Sequence, residues 1–244
     1  MSLRLYKADL HIHTCLSPCA DAAMRPSAII NAAIHNRLDI IGVTDHNTAE
    51  NVPAMQAAAR GMGVAVLGGM EICSSEEVHV LAFFDDADAL GSMQQVVYEN
   101  LPGRNDEDFF GPQHLVDEDD AVIGASDKLL IGATLLTIAD VVGAIRRLGG
   151  LAIASHVDRQ AYGLISQLGL VPPGLPLSAL EVSWRCSPDD ARAYRTHNLQ
   201  IIRSSDAHCL QDVGKAATTF KINAPQIDEL AMALQGKQGR TVSI

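Results

Sequence analysis

The chain repeats one arrangement: a short apolar run, a polar cluster at its end, then a stretch with helical spacing. This alternation constrains the fold more than any other feature, because apolar runs linked by helices build βα units around a parallel sheet. "LYKADLHIH" reads as the first strand. In "RPSAIINAAIHNRL", Pro26 suits the first helical turn, and Ile29, Ile30, Ala33, Ile34 and Leu38 fall on one helical face. "DIIGVTDH" is the next strand, "NVPAMQAAARG" the next helix, and "VAVLGGMEI" a third strand. "VHVLAFF" follows closely as a fourth extended run.

The second half continues the pattern. "TIADVVGAIRRLGG" has Thr137 as cap, Asp140 in its first turn and Gly149 as its stop. "LAIASH", "LSALEVSW" and "LQIIRSSDAH" are further strands. "SPDDARAYRTHN" lies between the last two, with Ser187 as cap and Pro188 at its first position. "AATTFKI" and a helix from Pro225 close the pattern. At 244 residues this fits a single α/β barrel domain over 1–244. The segment 93–128 interrupts it with "ENLPGRNDEDFFGPQHLVDEDD", an acidic stretch that reads as an insertion or lid.

Charge and composition exclude several functions. A net charge of -11 argues against a surface that tracks long nucleic acid. Aromatics at 4% leave few stacking platforms for single strands. No apolar stretch has membrane-spanning length and the start of the chain lacks a signal-peptide pattern, so a cytoplasmic location without membrane contact is expected. Five unevenly spaced cysteines suit reduced thiols.

Polar residues gather at the strand ends. The first strand contributes His11 and His13, the second Asp45 and His46, the third Glu71. The fourth run begins at His79, and later runs end at His156, Asp206 and His208. These places hold six of the nine histidines. Barrel enzymes assemble their sites where parallel strands end. Residues two apart on a strand share a face, so His11 and His13 project together, as do Asp206 and His208. Imidazoles with carboxylates suit zinc, iron or manganese. Burying so many ionisable groups without a cation would be costly. His35, His114 and His197 lie elsewhere and read as ordinary histidines.

The ordered set "DLHIHT", "GVTDHN", "GGMEI", "EVHVLAFF", "ASHVD" and "SSDAH" resembles the motifs of the PHP (polymerase and histidinol phosphatase) family, over Asp9 to His208. The resemblance implies a distorted TIM-like (β/α)7 barrel and metal-dependent phosphoester hydrolysis with two or three divalent cations. It implies that His11, His13, Glu71 and Asp206 bind a first cation, and that Glu71 bridges to a second held by His79 and His156. His46 and His208 would bind a third, with one ligand from the loop after His13. Asp45 would orient a neighbouring histidine. Family members often carry Asp or His five or six residues after the second histidine. Here those positions are Pro18 and Cys19, with Asp21 two residues further. Cys19 is favoured by spacing, Asp21 is the alternative, and a two-metal site is the third possibility.

Two close cations would activate water against a phosphate ester without a protein nucleophile. Arg159 and Arg185 are the basic residues placed to hold the phosphate, with Lys215 weaker. His208 would protonate the leaving group if a cation does not occupy it fully. The expected substrate is a small phosphorylated molecule, a nucleotide or a short oligonucleotide end. Two other readings stand beside this one: a metal-dependent amidohydrolase on a similar barrel, and a non-catalytic metal-binding module. Oligomeric state leaves no trace in the sequence.

Overall fold

Apolar runs of four to nine residues, separated by helices, pair into one sheet. The structure, a computed structural model, describes residues 2–194 and 199–244. Its strands begin with β1 (Arg4–Ile12), β2 (Ile40–Val43), β3 (Ala65–Cys73) and β4 (His79–Phe84). A two-stranded hairpin, β5 (His114–Val116) and β6 (Val122–Ala125), stands apart. The main sheet resumes with β7 (Leu151–Ala154), β8 (Ala179–Val182) and β9 (Gln200–Arg203), then β10 (Thr218–Ile222) and β11 (Thr241–Ser243). Its order is β11-β10-β1-β2-β3-β4-β7-β8-β9. Past β9, Ala207 bridges in parallel to Ile12, so seven of these strands, β1 to β4 and β7 to β9, curl back on themselves. The result is a nearly closed, distorted TIM-like barrel, the α/β class expected from the sequence.

The distortion lies at β4. An all-parallel barrel would need a helix between β3 and β4. The sequence supplies only "SSEEV" between Cys73 and His79, enough for a tight turn, and the two strands pair antiparallel. β4 is also antiparallel to β7, whereas β1–β2, β2–β3, β7–β8 and β8–β9 are parallel. Because β4 runs backwards, its first residue, His79, reaches the face where the other strands end.

The helices pack outside: α1 (Pro26–His35), α2 (Val52–Ala58), α3 (Ala87–Glu99), α4 (Glu107–Phe110), α5 (Ile138–Arg147), α6 (Leu164–Leu168), α7 (Pro188–Ala193) and α8 (Ile227–Leu234). Ile29, Ile30 and Ala33 of α1 are buried with Leu38, but Ile34 is exposed and stands off the face assigned to it. The Thr137–Asp140 capping box of α5 forms, and Gly149 takes a left-handed φ of 78° beyond its end. Inside the barrel, Leu10, Ile40, Leu67, Leu81, Phe83, Ile153 and Ile202 share one apolar core. Phe83 fits because Gly42 and Gly69 leave room: a Cβ on Gly69 would lie 2.7 Å from its ring.

Segment 93–128 is not uniform. Met93 and Val97 belong to α3 and are fully buried, so the excursion begins only after that helix. The rest carries α4 and the β5–β6 hairpin. The Asn51 side chain donates to the carbonyl of His114 and accepts from Val116 N–H. Asn47 donates to the carbonyls of Leu130 and Gly132. A small core of Leu16, Leu101 and Leu130 joins the excursion to the loop after His13.

Candidate metal centre

Glu71, on the last turn of β3's apolar run, is 1% exposed and forms the hub. Its Oε1 lies 3.3 Å from His11 Nε2, 3.0 Å from His79 Nδ1 and 3.3 Å from His156 Nε2. Its Oε2 lies 3.5 Å from His13 Nε2 and 3.2 Å from His46 Nδ1. Asp206 Oδ1 stands 3.2 Å from His11 Nε2 and 3.1 Å from His13 Nε2. Three sets of side chains are close enough to share a cation: His11, His13, Glu71 and Asp206; His46, Glu71 and His79; and His13, His46 and His208. The first set matches the grouping the motifs imply. Glu71 also meets both His79 and His156, as a bridging carboxylate would.

The chemistry of these donors fits a cation better than hydrogen bonds. Glu71 Oε1 and His79 Nδ1 are buried and only 3.0 Å apart, yet neither makes a directed hydrogen bond. His156 Nδ1 is likewise buried without a partner. His11 Nε2 and His13 Nε2 face each other at 3.2 Å. Lone pairs aimed at one point need a positive charge between them.

Electrostatics follow from this packing. Burial opposes charge on Glu71, but His79 and His11 hold it well below the usual carboxylate range. Burial likewise opposes charge on Asp206, which His11 and His13 hold low. His11 is raised well above the ordinary histidine value, because Glu181, Asp206 and Glu71 overcome its desolvation. His13 is driven far down by burial and then by His208 and His46. His79 is lowered chiefly by burial. His46 is raised to about 10 against its burial by Cys19 and Glu71, and His208 is raised against its burial by Cys19 and Asp206.

The loop after His13 supplies what strand spacing left open. Burial resists ionisation of Cys19, yet His208 and His46 beside its sulfur pull it down to about 6. Cys19 belongs to none of the three compact sets, but it lines the same cavity as His46 and His208. Both residues are exposed, but Asp21 lies outside that cavity, and its N–H donates to the His208 carbonyl. Of the two, Cys19 is the one that lines the cavity with His46 and His208.

Asp45 is buried and reaches His13 through a serine. Ser17 Oγ donates to Asp45 Oδ1 at 2.7 Å and lies 3.0 Å from His13 Nδ1. Thr14 adds two more bonds to Asp45. Burial pushes the Asp45 carboxyl up, and these donors pull against that.

The cavity above the cluster has a volume of about 310 Å³. Arg159 lines it and pairs with Asp206. Its apolar side is Ile131, Ala161 and Tyr162. The Tyr162 ring stacks on His79 at 4.4 Å between centroids. Arg185 is not there. After β8 the chain turns away, with Ser183 held by Asp158, and the exposed Arg185 guanidinium lies over the Trp184 ring at 5.1 Å. Lys215 pairs with Asp212 and also faces Trp184. His35 is exposed and His114 half-buried in the hairpin, both away from the cavity. His197 lies outside the described residues.

Three residues of this site escaped the sequence reading. Glu181, a lone acid in the apolar run "ALEV", lies within hydrogen-bond distance of His11 Nδ1, at 2.9 Å. That isolated charge was the available signal. Ser17 and Tyr162 carried none. Backbone strain marks the same rim: Asn47, His156, Tyr162 and Asp206 all have positive φ, a cost of roughly 1–3 kcal/mol each that the surroundings must impose.

Residues 9–168 match the PHP domain family, and residues 190–238 match the family described as PHP-associated. The chain belongs to the PHP domain family. Members of that family are metal-dependent hydrolases. A 5'-3' exoribonuclease Rnm of Escherichia coli is 31% identical over 78 residues, 30% of this chain and 26% of that protein. The chain thus spans about a quarter of that relative's length. Among solved structures, the lesion-specific endonuclease PfuEndoQ of Pyrococcus furiosus superposes with a TM-score of 0.76 at 17% identity, over 98% of this chain and 58% of that one. An Endonuclease Q bound to a 27-mer duplex gives 0.76 at 16% identity, with the same coverage. A putative metal-dependent phosphoesterase of Bifidobacterium adolescentis gives 0.57 at 20% identity, over 82% and 87%. These likenesses are of fold. One of them holds a long duplex, so the exclusion of long nucleic acid drawn from net charge does not stand. No described helix is long and apolar enough to cross a membrane.

Proposed function

We propose that the protein is a metal-dependent phosphoesterase whose cluster holds two or three divalent cations. The observation that carries this reading is Glu71: one buried carboxylate faces five imidazoles, with its Oε1 left without a hydrogen bond. His11, His13, Glu71 and Asp206 would hold one cation. His79 and His156 would share Glu71 around a second. His46, His208 and Cys19 would hold a third. Bound there, such cations would supply Lewis acidity toward phosphoryl oxygens and make water nucleophilic near neutral pH. A soft thiolate beside imidazoles favours zinc or iron over magnesium, with manganese the other candidate.

The chain's own groups do the rest. Arg159, half-exposed and anchored on Asp206, binds a phosphate oxygen at the cavity wall. Asp45 and Ser17 fix the ring of His13. His208 is the most open histidine of the cluster, with 30% of its side chain exposed. Its Nδ1 is engaged by the Asp206 carbonyl at 3.0 Å, which leaves Nε2 for a ligand or for the leaving group's proton. The apolar wall of Ile131, Ala161 and Tyr162 suits the organic part of a small phosphate ester, a nucleotide or an oligonucleotide end. Ile131, three residues past the excursion, brings that side of the single barrel domain to the wall. Five free cysteines suit a cytoplasmic setting. Among the described residues no lysine lines the cavity, which disfavours the amidohydrolase alternative.

Elemental analysis combined with turnover of p-nitrophenyl phosphate, nucleoside monophosphates and 5'-phosphorylated oligonucleotides tests the proposal. Bound transition metal and phosphate release support it. Turnover of amides or lactones alone would identify an amidohydrolase. Metal without hydrolysis of any ester would leave a binding module.

A further inference from the structure

Glu181 belongs to none of the cation-sized sets, yet it is 1% exposed and sits directly behind two of their members. Its Oε2 lies 2.9 Å from His11 Nδ1 and accepts from the His156 backbone N–H at 3.0 Å. β8, which carries it, is separated from β1 by β9, so the side chain spans the barrel mouth to reach His11. Its other oxygen, Oε1, is buried without a partner. A buried carboxylate with no other work, placed behind two converging imidazoles, calls for an explanation.

We propose that Glu181 is the positioning residue that fixes the His11 tautomer and the His156 main chain together. Glu181 Oε2 already accepts from the His156 N–H, and a proton on His11 Nδ1 lets the same oxygen accept the second bond. With Nδ1 so engaged, Nε2 is the atom turned to the cluster, 3.2 Å from Asp206 and 3.3 Å from Glu71. His156 is held differently. Its ring nitrogen Nδ1 has no partner, and its backbone stands at a φ of 26°, a conformation that needs an external restraint. The Glu181 hydrogen bond to its N–H is such a restraint. One side chain therefore sets the ring of a ligand candidate on β1 and the backbone of another after β7. His13 is served separately, through Ser17 and Asp45. The link to cation affinity rests on the metal-dependent reading above; the tautomer does not.

The test uses the full chain, stripped by chelator and labelled with ¹⁵N, in long-range histidine NMR spectra. Glu181→Gln keeps one carbonyl oxygen able to accept both bonds, so His11 should remain protonated at Nδ1, as in the parent protein. Glu181→Ala should leave that proton without its acceptor, so that the Nδ1–H signal shifts and broadens or is lost. Zinc titration then reads the consequence: affinity should fall roughly 10–100-fold in Glu181→Ala and less in Glu181→Gln. If Glu181→Ala does not fold, Glu181→Asp replaces it; its shorter arm should lose one of the two bonds and show either the tautomer change or the affinity loss. A His11 Nδ1 that carries no proton in the parent protein overturns the proposal. So does an unchanged tautomer with parental zinc affinity in Glu181→Ala or Glu181→Asp. If the tautomer responds as stated while the parent protein binds no zinc, the metal reading fails and the positioning role stands.

Discussion

Two regions of this molecule are rich in acids and histidine, and they behave in opposite ways. At the barrel mouth, Glu71, Asp206, Glu181 and Asp45 are almost fully buried, each within reach of an imidazole or a hydroxyl. In the excursion after α3, Asp106, Glu107, Asp108, Glu118 and Asp119 face solvent. Two acids there are half-buried: Asp117, which accepts from Ala121 N–H within the hairpin turn, and Asp120, whose Oδ1 accepts from Ser27 N–H at 2.9 Å and so caps the start of α1 from a distance. Composition does not separate a site from a solvated surface. Convergence does: titratable groups from all seven strands of the barrel meet behind low-dielectric walls, where their interactions are strong.

Breaking the hub should have the largest effect. Glu71→Gln should lower bound metal and cut phosphoesterase turnover at least about 100-fold, since several kcal/mol of Lewis-acid stabilisation would go with it. In the parent protein, metal at about 100 times its dissociation constant should add about 2.7 kcal/mol of stability, and chelation should remove it; the variant should show little such difference on thermal melting. A second change probes the excursion's anchor. Leu130 is fully buried against Leu16 and Leu101, and Leu130→Ala should cost about 2–5 kcal/mol by denaturant unfolding. A much smaller cost would show that the excursion moves independently of the barrel.

Thiol chemistry sharpens the contrast further. Burial pushes Cys15 up to about 11 and Cys73 up to about 12, whereas Cys19 is drawn down to about 6. Iodoacetamide should therefore modify Cys19 first in chelated protein, and added zinc should protect it; peptide mass mapping reads both. Protection of Asp21→Asn equal to the parent's would agree with Cys19 as the ligand. A milder effect concerns an acid paired with one fixed cation far from the mouth. Glu229, gripped by Arg240, has its carboxyl depressed to about 2. A depressed folded value means stability present above the unfolded glutamate range and lost as pH falls through that range toward 2. Glu229→Gln should flatten that part of the stability–pH curve. Smallest of all, Glu118→Gln and Asp119→Asn should stay within about 0.5 kcal/mol, because both are exposed.

Much of this was legible beforehand because periodicity and strand-end chemistry are local. Two-residue spacing placed His11 beside His13, and Thr137 with Asp140 announced the start of α5. Other features were not local. Ile34 carries the right spacing for α1 but lies exposed, since the width of the buried face depends on what packs there. Arg185 follows a strand end, as Arg159 follows His156, yet only Arg159 turns into the cavity. The bonds of Ser183 to Asp158 decide the direction, and they join residues 25 positions apart. Segment 93–128 began too early, because the acidic composition hid the buried faces of Met93 and Val97.

The sequence by itself determined the alternation of strands and helices, the identity of the converging histidines and carboxylates, and the shared direction of His11 and His13. Each depends on neighbours one to four residues apart, where backbone geometry dictates direction. Tertiary structure alone decided that β4 runs backwards so that His79 meets Glu71, that Cys19 rather than Asp21 faces the cluster, and that Glu181 reaches across to His11. Those outcomes depend on closure of the barrel, which brings together atoms as far apart as His13 and Asp206, 193 residues along the chain. No local propensity encodes such contacts; they follow from burying the apolar faces of all seven strands at once.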